Sequence, residues 1–280
     1  MLLFIFCGCE ETANDDIDGG TGGADGGSDT DTDGDTDTDS FFEIAPHIDA
    51  GVSDRCFTDG GVVPIDWVVI DGGTYLMGSP FGQGFPNNQL PAHDVTIPTF
   101  EIMRTEVTVC HYADCFADGK CTHPKTSDMP NTSDGCNWMV RGNGNHPVNC
   151  VDVYQAEAFC QWAGGRLPSE SEWEFVARGR GRDIIYPWGD ELATCEYAVM
   201  GVNINDLFVG GCGIDHTFEV CSRPQGNTAQ GLCDVAGNVW EWVPDKWTID
   251  YQGAPTDGSP WMDAVYEDSR VIRGGDYKCN

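Results

Sequence analysis

Basic residues are scarce in this sequence. Its 280 residues hold 14 Lys and Arg against 46 Asp and Glu, a formal net charge of −32, and no Lys or Arg precedes Arg55. Proteins hold nucleic acids through Lys and Arg on phosphate, so this balance argues against nucleic acid as a partner. Long apolar runs are missing as well. Nothing approaches the roughly 20 apolar residues that a membrane-spanning helix needs. No G-x-S-x-G elbow, phosphate-binding loop or H-E-x-x-H helix occurs, which leaves hydrolase, NTPase and zincin chemistry without a motif. C-x-x-C pairs are absent too.

Cysteine itself is abundant, with 14 copies at irregular spacings. Without C-x-x-C pairs, such a set reads as disulfides in an oxidising, extracytoplasmic compartment. The opening "MLLFIFCGCE" is consistent with this. Residues 1–9 are a short apolar run ending in Gly8-Cys9, similar to a bacterial lipoprotein signal, although the run is short for such a signal and has no basic start. Cys9 is then the expected lipid-bearing residue, and the chain a cell-envelope lipoprotein or a secreted protein. Residues 10–61 read as a disordered acidic linker. Between Glu10 and Ser40 they carry twelve Asp and Glu and few apolar side chains, too little burial to offset chain entropy. Removing those twelve charges leaves −20 for the rest. The run "DTDTDGDTDTDS" from Asp29 has the acids of a calcium loop, but Ser40 stands where an EF-hand places its bidentate Glu. It is read as solvated linker.

Residues 62–280 hold the folded domain. "WVVIDGGTYLMGS" predicts strands over Trp67–Ile70 and Thr74–Met77 joined by a Gly turn, and "HDVTIPTFEIMRTEVT" predicts two more. Val109, Tyr112, Ala113 and Phe116 share a helical face between Thr108 as N-cap and Gly119 as stop. A second helix follows Asp152 and ends at Gly164-Gly165. A third follows Pro168, where Ser169 and Glu172 form a capping box. Glu170, Glu172 and Glu174 on that helix are explained by capping and a solvated face. Val239–Val243 and Val271–Arg273 are expected core strands. The class is α+β, with helices beside a small antiparallel sheet and much irregular chain held by disulfides.

Three cysteine groups carry the expected bridges. Cys115 and Cys121 flank the end of the first helix, Cys136 and Cys150 close "CNWMVRGNGNHPVNC", and Cys195, Cys212 and Cys221 share one loop-rich stretch. A zinc site from Cys110, His111, Cys115, Cys121 and His123 has no standard spacing. In "CDVAGNVWEW", Asp234 and Glu241 are hard oxygen ligands seven residues apart. If the chain curls between them, the carbonyls of Gly237 and Val239 face the same centre, a set suited to calcium. The alternative is that both acids hydrogen-bond nearby amides.

Six segments in order, "DGGTYLMGS", "TEVTV", "HPVNCVDVYQAEAFCQWAGGRLPSESEWEFVARG", "YPWGD", "GLCDVAGNVWEW" and "RVIRGG", closely resemble the formylglycine-generating enzyme (sulfatase-modifying factor) family. The resemblance implies a variant C-type-lectin-like fold of that type, low in regular structure. It places a calcium site on the Asp234 and Glu241 side chains and the Gly237 and Val239 carbonyls. A second family calcium site falls near Ala198–Val199, where the family's Asn is missing. The family's enzymes oxidise a cysteine in a Cys-x-Pro-x-Arg stretch of a polypeptide substrate to formylglycine, using oxygen and Cu(I) on two thiolates. "GGDYKC" puts Cys279 on the first thiolate position, with Asp276 in place of the family's Ser. The second is expected five residues on, and a final stretch carrying the mate of Cys160 is expected beyond it, so the sequence reads as a fragment. Catalysis by Cys279 with copper is one expectation. A non-catalytic lectin-like module binding a ligand or protein is the other. The related iron-dependent sulfur oxidation needs a His set, for which the six His offer no pattern.

Overall fold

The computed structural model describes residues 56, 64–79, 87–124, 135–205, 207–263 and 269–279. The apolar start with Cys9 and the Asp-rich tract lie outside these residues. Within them, eight short strands and three helices are separated by long irregular stretches. The strands pair only in twos, all antiparallel. β1 (Trp67–Ile70) pairs with β4 (Phe100–Met103), and β2 (Gly73–Met77) pairs with β3 (His93–Ile97). The first two strands therefore do not form the hairpin their Gly turn implies. The turn instead steps from one pair to the next. Gly72 sits there because a Cβ would lie 2.7 Å from the backbone of Pro98 and Thr99, a space only glycine fits. β5 (Val202–Ile204) and β6 (Leu207–Val209) form a hairpin, and β7 (Glu241–Lys246) pairs with β8 (Arg270–Arg273). The expected single small sheet is thus four two-stranded ones.

Each helix starts where its capping residues stand. α1 (Val109–Ala117) is capped by Thr108, whose hydroxyl accepts from the His111 N–H at 3.1 Å. The His111 ring accepts in return from the Thr108 N–H, so this imidazole is spent on a capping box and not on metal. α2 (Val153–Trp162) begins at Asp152 with Gln155 in the reciprocal role. α3 (Glu170–Ala177) begins at Ser169 with Glu172.

The apolar side chains gather in two clusters. One packs Phe175 and Val176 of α3 on Ile70, Tyr75, Val95, Ile97 and Val243 of the strands. The other packs α1 on α2, with Tyr112 stacked on Phe159 at 5.9 Å and Trp138, Leu167 and the Cys160 thiol closing around them. Between apolar layers, α3 presents carboxylates inward. Glu170, Glu172 and Glu174 are 8%, 1% and 7% exposed, which corrects the expected solvated face. Each has a cationic partner: Glu172 pairs with Arg166 at 2.7 Å, Glu174 with Arg178 and Arg273, and Glu170 with Arg273 at 3.4 Å. The Tyr251 hydroxyl donates to Glu170 at 2.9 Å.

Disulfides join the irregular chain to these clusters. Cys115–Cys121 and Cys136–Cys150 are bridged as the spacing predicts. The third group supplies two bridges, Cys195–Cys212 and Cys221–Cys233. Cys56–Cys110 ties the residue before the domain to α1. The would-be zinc cysteines are thereby all consumed. No helix among the described residues is long and apolar enough to cross a membrane. Five bridges of this kind place the domain in an extracytoplasmic setting.

Candidate functional site

The segment between Leu232 and β7 does curl. Asp234, Gly237 and Asn238 have φ of 55°, 87° and 64°, so the backbone reverses three times in five residues. The expected strand from Val239 accordingly begins only at Glu241. Asn238 is the tie of this turn. Its backbone N–H donates to Val199 O at 2.8 Å, and its own carbonyl accepts from the Tyr277 N–H at 3.0 Å. Its side-chain oxygen accepts from the Phe218 N–H at 3.0 Å, and its Nδ2 donates to Glu106 Oε2 at 2.9 Å. Gly237 donates to Gly274 O. A Cβ there would fall 2.5 Å from Val199 O, which is why the turn carries glycine. The Ala198–Val199 stretch, where a second calcium site falls by resemblance, is here a backbone acceptor for this turn.

Both sequence-predicted acids are deeply buried, Asp234 at 6% and Glu241 at 1% exposure. Asp234 Oδ2 accepts from the Cys221 N–H at 2.5 Å, and Glu241 Oε2 accepts from Trp173 Nε1. The reading in which both acids hydrogen-bond nearby amides thus holds for one oxygen of Asp234, whereas Glu241 is met by an indole N–H 68 residues away. Glu106, which the sequence did not single out, stands nearby at 1% exposure, and its Oε1 has no hydrogen-bond partner. Burial raises all three carboxyls, Asp234 to about 6, and each of Glu106 and Glu241 is raised further by the charge on Asp234. Three buried carboxylates with an orphaned oxygen call for added positive charge. Hard oxygen donors and an acidic cluster suit calcium, so the residues present fit the ion. No group of three or more His, Cys, Asp or Glu among the described residues is disposed to hold a metal through side chains alone. Gly237 O accepts from the Val239 N–H at 2.8 Å.

The Cys279 loop lies against the same turn. Gly201 N–H donates to Cys279 O at 2.7 Å, and Gly211 N–H donates to Tyr277 O at 2.6 Å. Asp276, 3% exposed, accepts from the N–H groups of Lys278 and Cys279 at 2.9 and 3.1 Å. The carboxylate that replaces the family's Ser thus shapes the loop through backbone donors.

A polar cluster missed in the sequence sits behind the 136–150 bridge. Thr217 Oγ1 lies 2.9 Å from Asn137 Nδ2 and 2.8 Å from His146 Nδ1. The His146 and His216 rings are 6.2 Å apart. Burial first, then the neighbouring His216, lower the His146 pKa to about 4, so this imidazole is neutral at physiological pH. No motif joins residues 71 positions apart, which is why only the fold reveals the cluster.

Residues 62–280 match the model of the sulfatase-modifying factor enzyme 1-like domain. The chain belongs to this family. It is 30% identical to the formylglycine-generating enzyme of Streptomyces coelicolor, over 76% of this chain and 79% of that enzyme. It is also 30% identical to the serine/threonine-protein kinase Pkn1 of Chlamydia trachomatis, covering 76% of this chain but 33% of the kinase. The structure of PvdO from Pseudomonas aeruginosa superimposes with a TM-score of 0.59 at 30% identity, over 76% of this chain and 83% of PvdO. The formylglycine-generating-enzyme type of fold is therefore the fold of this domain, with its mixture of helices, short strands and disulfides.

Proposed function

We propose that the domain is a non-catalytic recognition module on the formylglycine-generating-enzyme scaffold, lectin-like in its use of loops, acting outside the cytoplasm on a ligand or polypeptide. The observation that carries this reading is the buried carboxylate beside Cys279: Asp276, 3% exposed, accepts from the Lys278 and Cys279 N–H groups at the position where the family's oxidases carry Ser. In this reading calcium supplies the charge that the buried Asp234 and Glu241 require, with the Gly237 and Val239 carbonyls completing the set. A lipid on Cys9 would tether the module to the envelope through the acidic linker.

The second reading is copper- and oxygen-dependent oxidation of a substrate cysteine to formylglycine. The place of Cys279 in "GGDYKC" and the similarity to the Streptomyces enzyme favour it. Here Cys279 would be one of two thiolates, and Gly201 and Asp276 would hold its backbone in place. One experiment separates the two. The full-length polypeptide, reduced, is loaded with Cu(I) and incubated in air with a Cys-x-Pro-x-Arg peptide. Mass spectrometry is expected to show unchanged peptide, and an aldehyde product overturns the recognition reading.

A further inference from the structure

A cleft of about 730 Å³ opens beside α3; it meets the "GGDYKC" segment only at Gly274 and the Asp234 turn at Val235 and Ala236. This volume is typical of small-molecule sites. We propose that the cleft binds a neutral carbohydrate ring. The inference deepens the recognition reading and rests on it only in treating the domain as a binder.

The charges in the cleft decide the ligand class. Glu174 stands between two guanidiniums, Arg178 at 3.2 Å and Arg273 at 3.0 Å, and accepts from the Gly78 N–H at 2.9 Å. Arg273 is further held by Glu170 at 3.4 Å and lies over the Trp173 ring at 4.8 Å. Glu174, Arg178 and Arg273 at the floor already have their counter-charges, while Asp183, 3.9 Å from Arg178, and Asp190, which accepts from the Ile185 N–H, are exposed at the rim, where a new ion pair is worth little. An anion or cation would have to displace a partner from a largely buried pair, which leaves the displaced group uncompensated and costs more than the new pair returns. Hydroxyl groups donate and accept at once, so a polyol can bond to the remaining faces of Glu174 and Arg178 without separating them.

The walls supply the complementary half. Tyr186 and Trp240 both line the cleft and are half-buried. Trp188 covers one face of Tyr186, with ring centroids 4.9 Å apart and planes within 5°, and Tyr197 stacks on Trp188 in turn at 5.1 Å. Tyr186 is thus a platform fixed from behind. The electron-rich face of a fixed aromatic ring attracts the polarised C–H face of a pyranose as it attracts other positive edges. Paired charges with spare hydrogen-bonding capacity beside a rigid aromatic face match a ring that is polar at its edge and apolar on its face.

The test uses the full chain and three neutral probes, maltose, N,N′-diacetylchitobiose and methyl β-galactoside. Saturation-transfer NMR and tryptophan fluorescence read binding. At least one probe is expected to saturate the signal, with glucosamine and glucuronate weaker. Tyr186→Phe, which keeps the platform, should bind within about threefold of the native protein, and Tyr186→Ala about tenfold more weakly. Thermal melting of both variants shows whether each is folded, and an unfolded Tyr186→Ala is replaced by Ile185→Glu, which sets a charge at the exposed rim. Absence of binding by all three neutral probes overturns the inference, and so does tighter binding of either charged sugar. The peptide-oxidation assay is independent: an aldehyde product with saccharide binding intact defeats only the recognition reading, and silence in both assays defeats only the carbohydrate site.

Discussion

Glu170 shows how much one side chain can make the stability of this domain depend on pH. Burial, opposed by Arg273, raises its pKa from 4.5 to about 7. A carboxyl that holds its proton more tightly when folded contributes stability that is complete below about pH 4.5 and lost as pH rises through 7. Glu170→Gln should remove that slope. In urea denaturation at pH 4.5 and 7.5, the native protein should lose up to roughly 3 kcal/mol more than the variant between the two conditions. An equal loss would show that Arg273 already compensates the charge. Asp234 and Glu241 carry a different prediction. If calcium sits among their oxygens, chelation lowers the melting temperature of the native protein, and Asp234→Asn with Glu241→Gln abolishes that response. An unchanged native melting temperature on chelation rejects the site. Asp234 and Glu241 could be named from sequence because "CDVAGNVWEW" sets them at a fixed spacing. Glu106 could not, since a single Glu inside "TEVTV" gives no sign that its carboxylate meets Asn238 132 residues later.

The helices and disulfides were legible at the scale of elements, and the sheet was not. Capping boxes are local, so Thr108, Asp152 and Ser169 mark their helices without any tertiary information. Strand partners are not local. β1 and β2 follow each other closely, yet their partners are β4 and β3, a nesting that the alternation of apolar residues does not encode. Bridges across short loops could be matched by proximity in sequence, whereas Cys56–Cys110 spans 54 residues and escaped. That difference has an energetic counterpart. Cross-linking restricts the unfolded chain more as the closed loop lengthens. Replacing both cysteines of Cys56–Cys110 by Ala should cost about 4 kcal/mol against about 2 for Cys115–Cys121, measured by urea denaturation of each double variant. Comparable costs would mean that local geometry outweighs loop length. Between α1 and α2, Phe159→Ala removes the ring stacked on Tyr112 and should cost about 3–5 kcal/mol.

For the whole molecule the dominant quantity is charge. A formal −32 on 280 residues repels itself most strongly when compact, so raising NaCl from about 10 mM to about 200 mM should raise the melting temperature by a few degrees. No change would indicate that the acidic linker, rather than the folded domain, carries the repulsion.

Pairing in twos has a colloidal consequence. Each of the eight described strands has a single ladder partner; loop backbone meets part of some second flanks, as Thr256 O does for the Thr96 N–H at 2.9 Å, and amide and carbonyl groups left over are ones another copy could complete. Mutual repulsion between negative molecules keeps such flanks apart at neutral pH. Acidification that neutralises the surface carboxylates should let them zip together, and the protein should then come out of solution as β-rich aggregate before its bridged interior unravels.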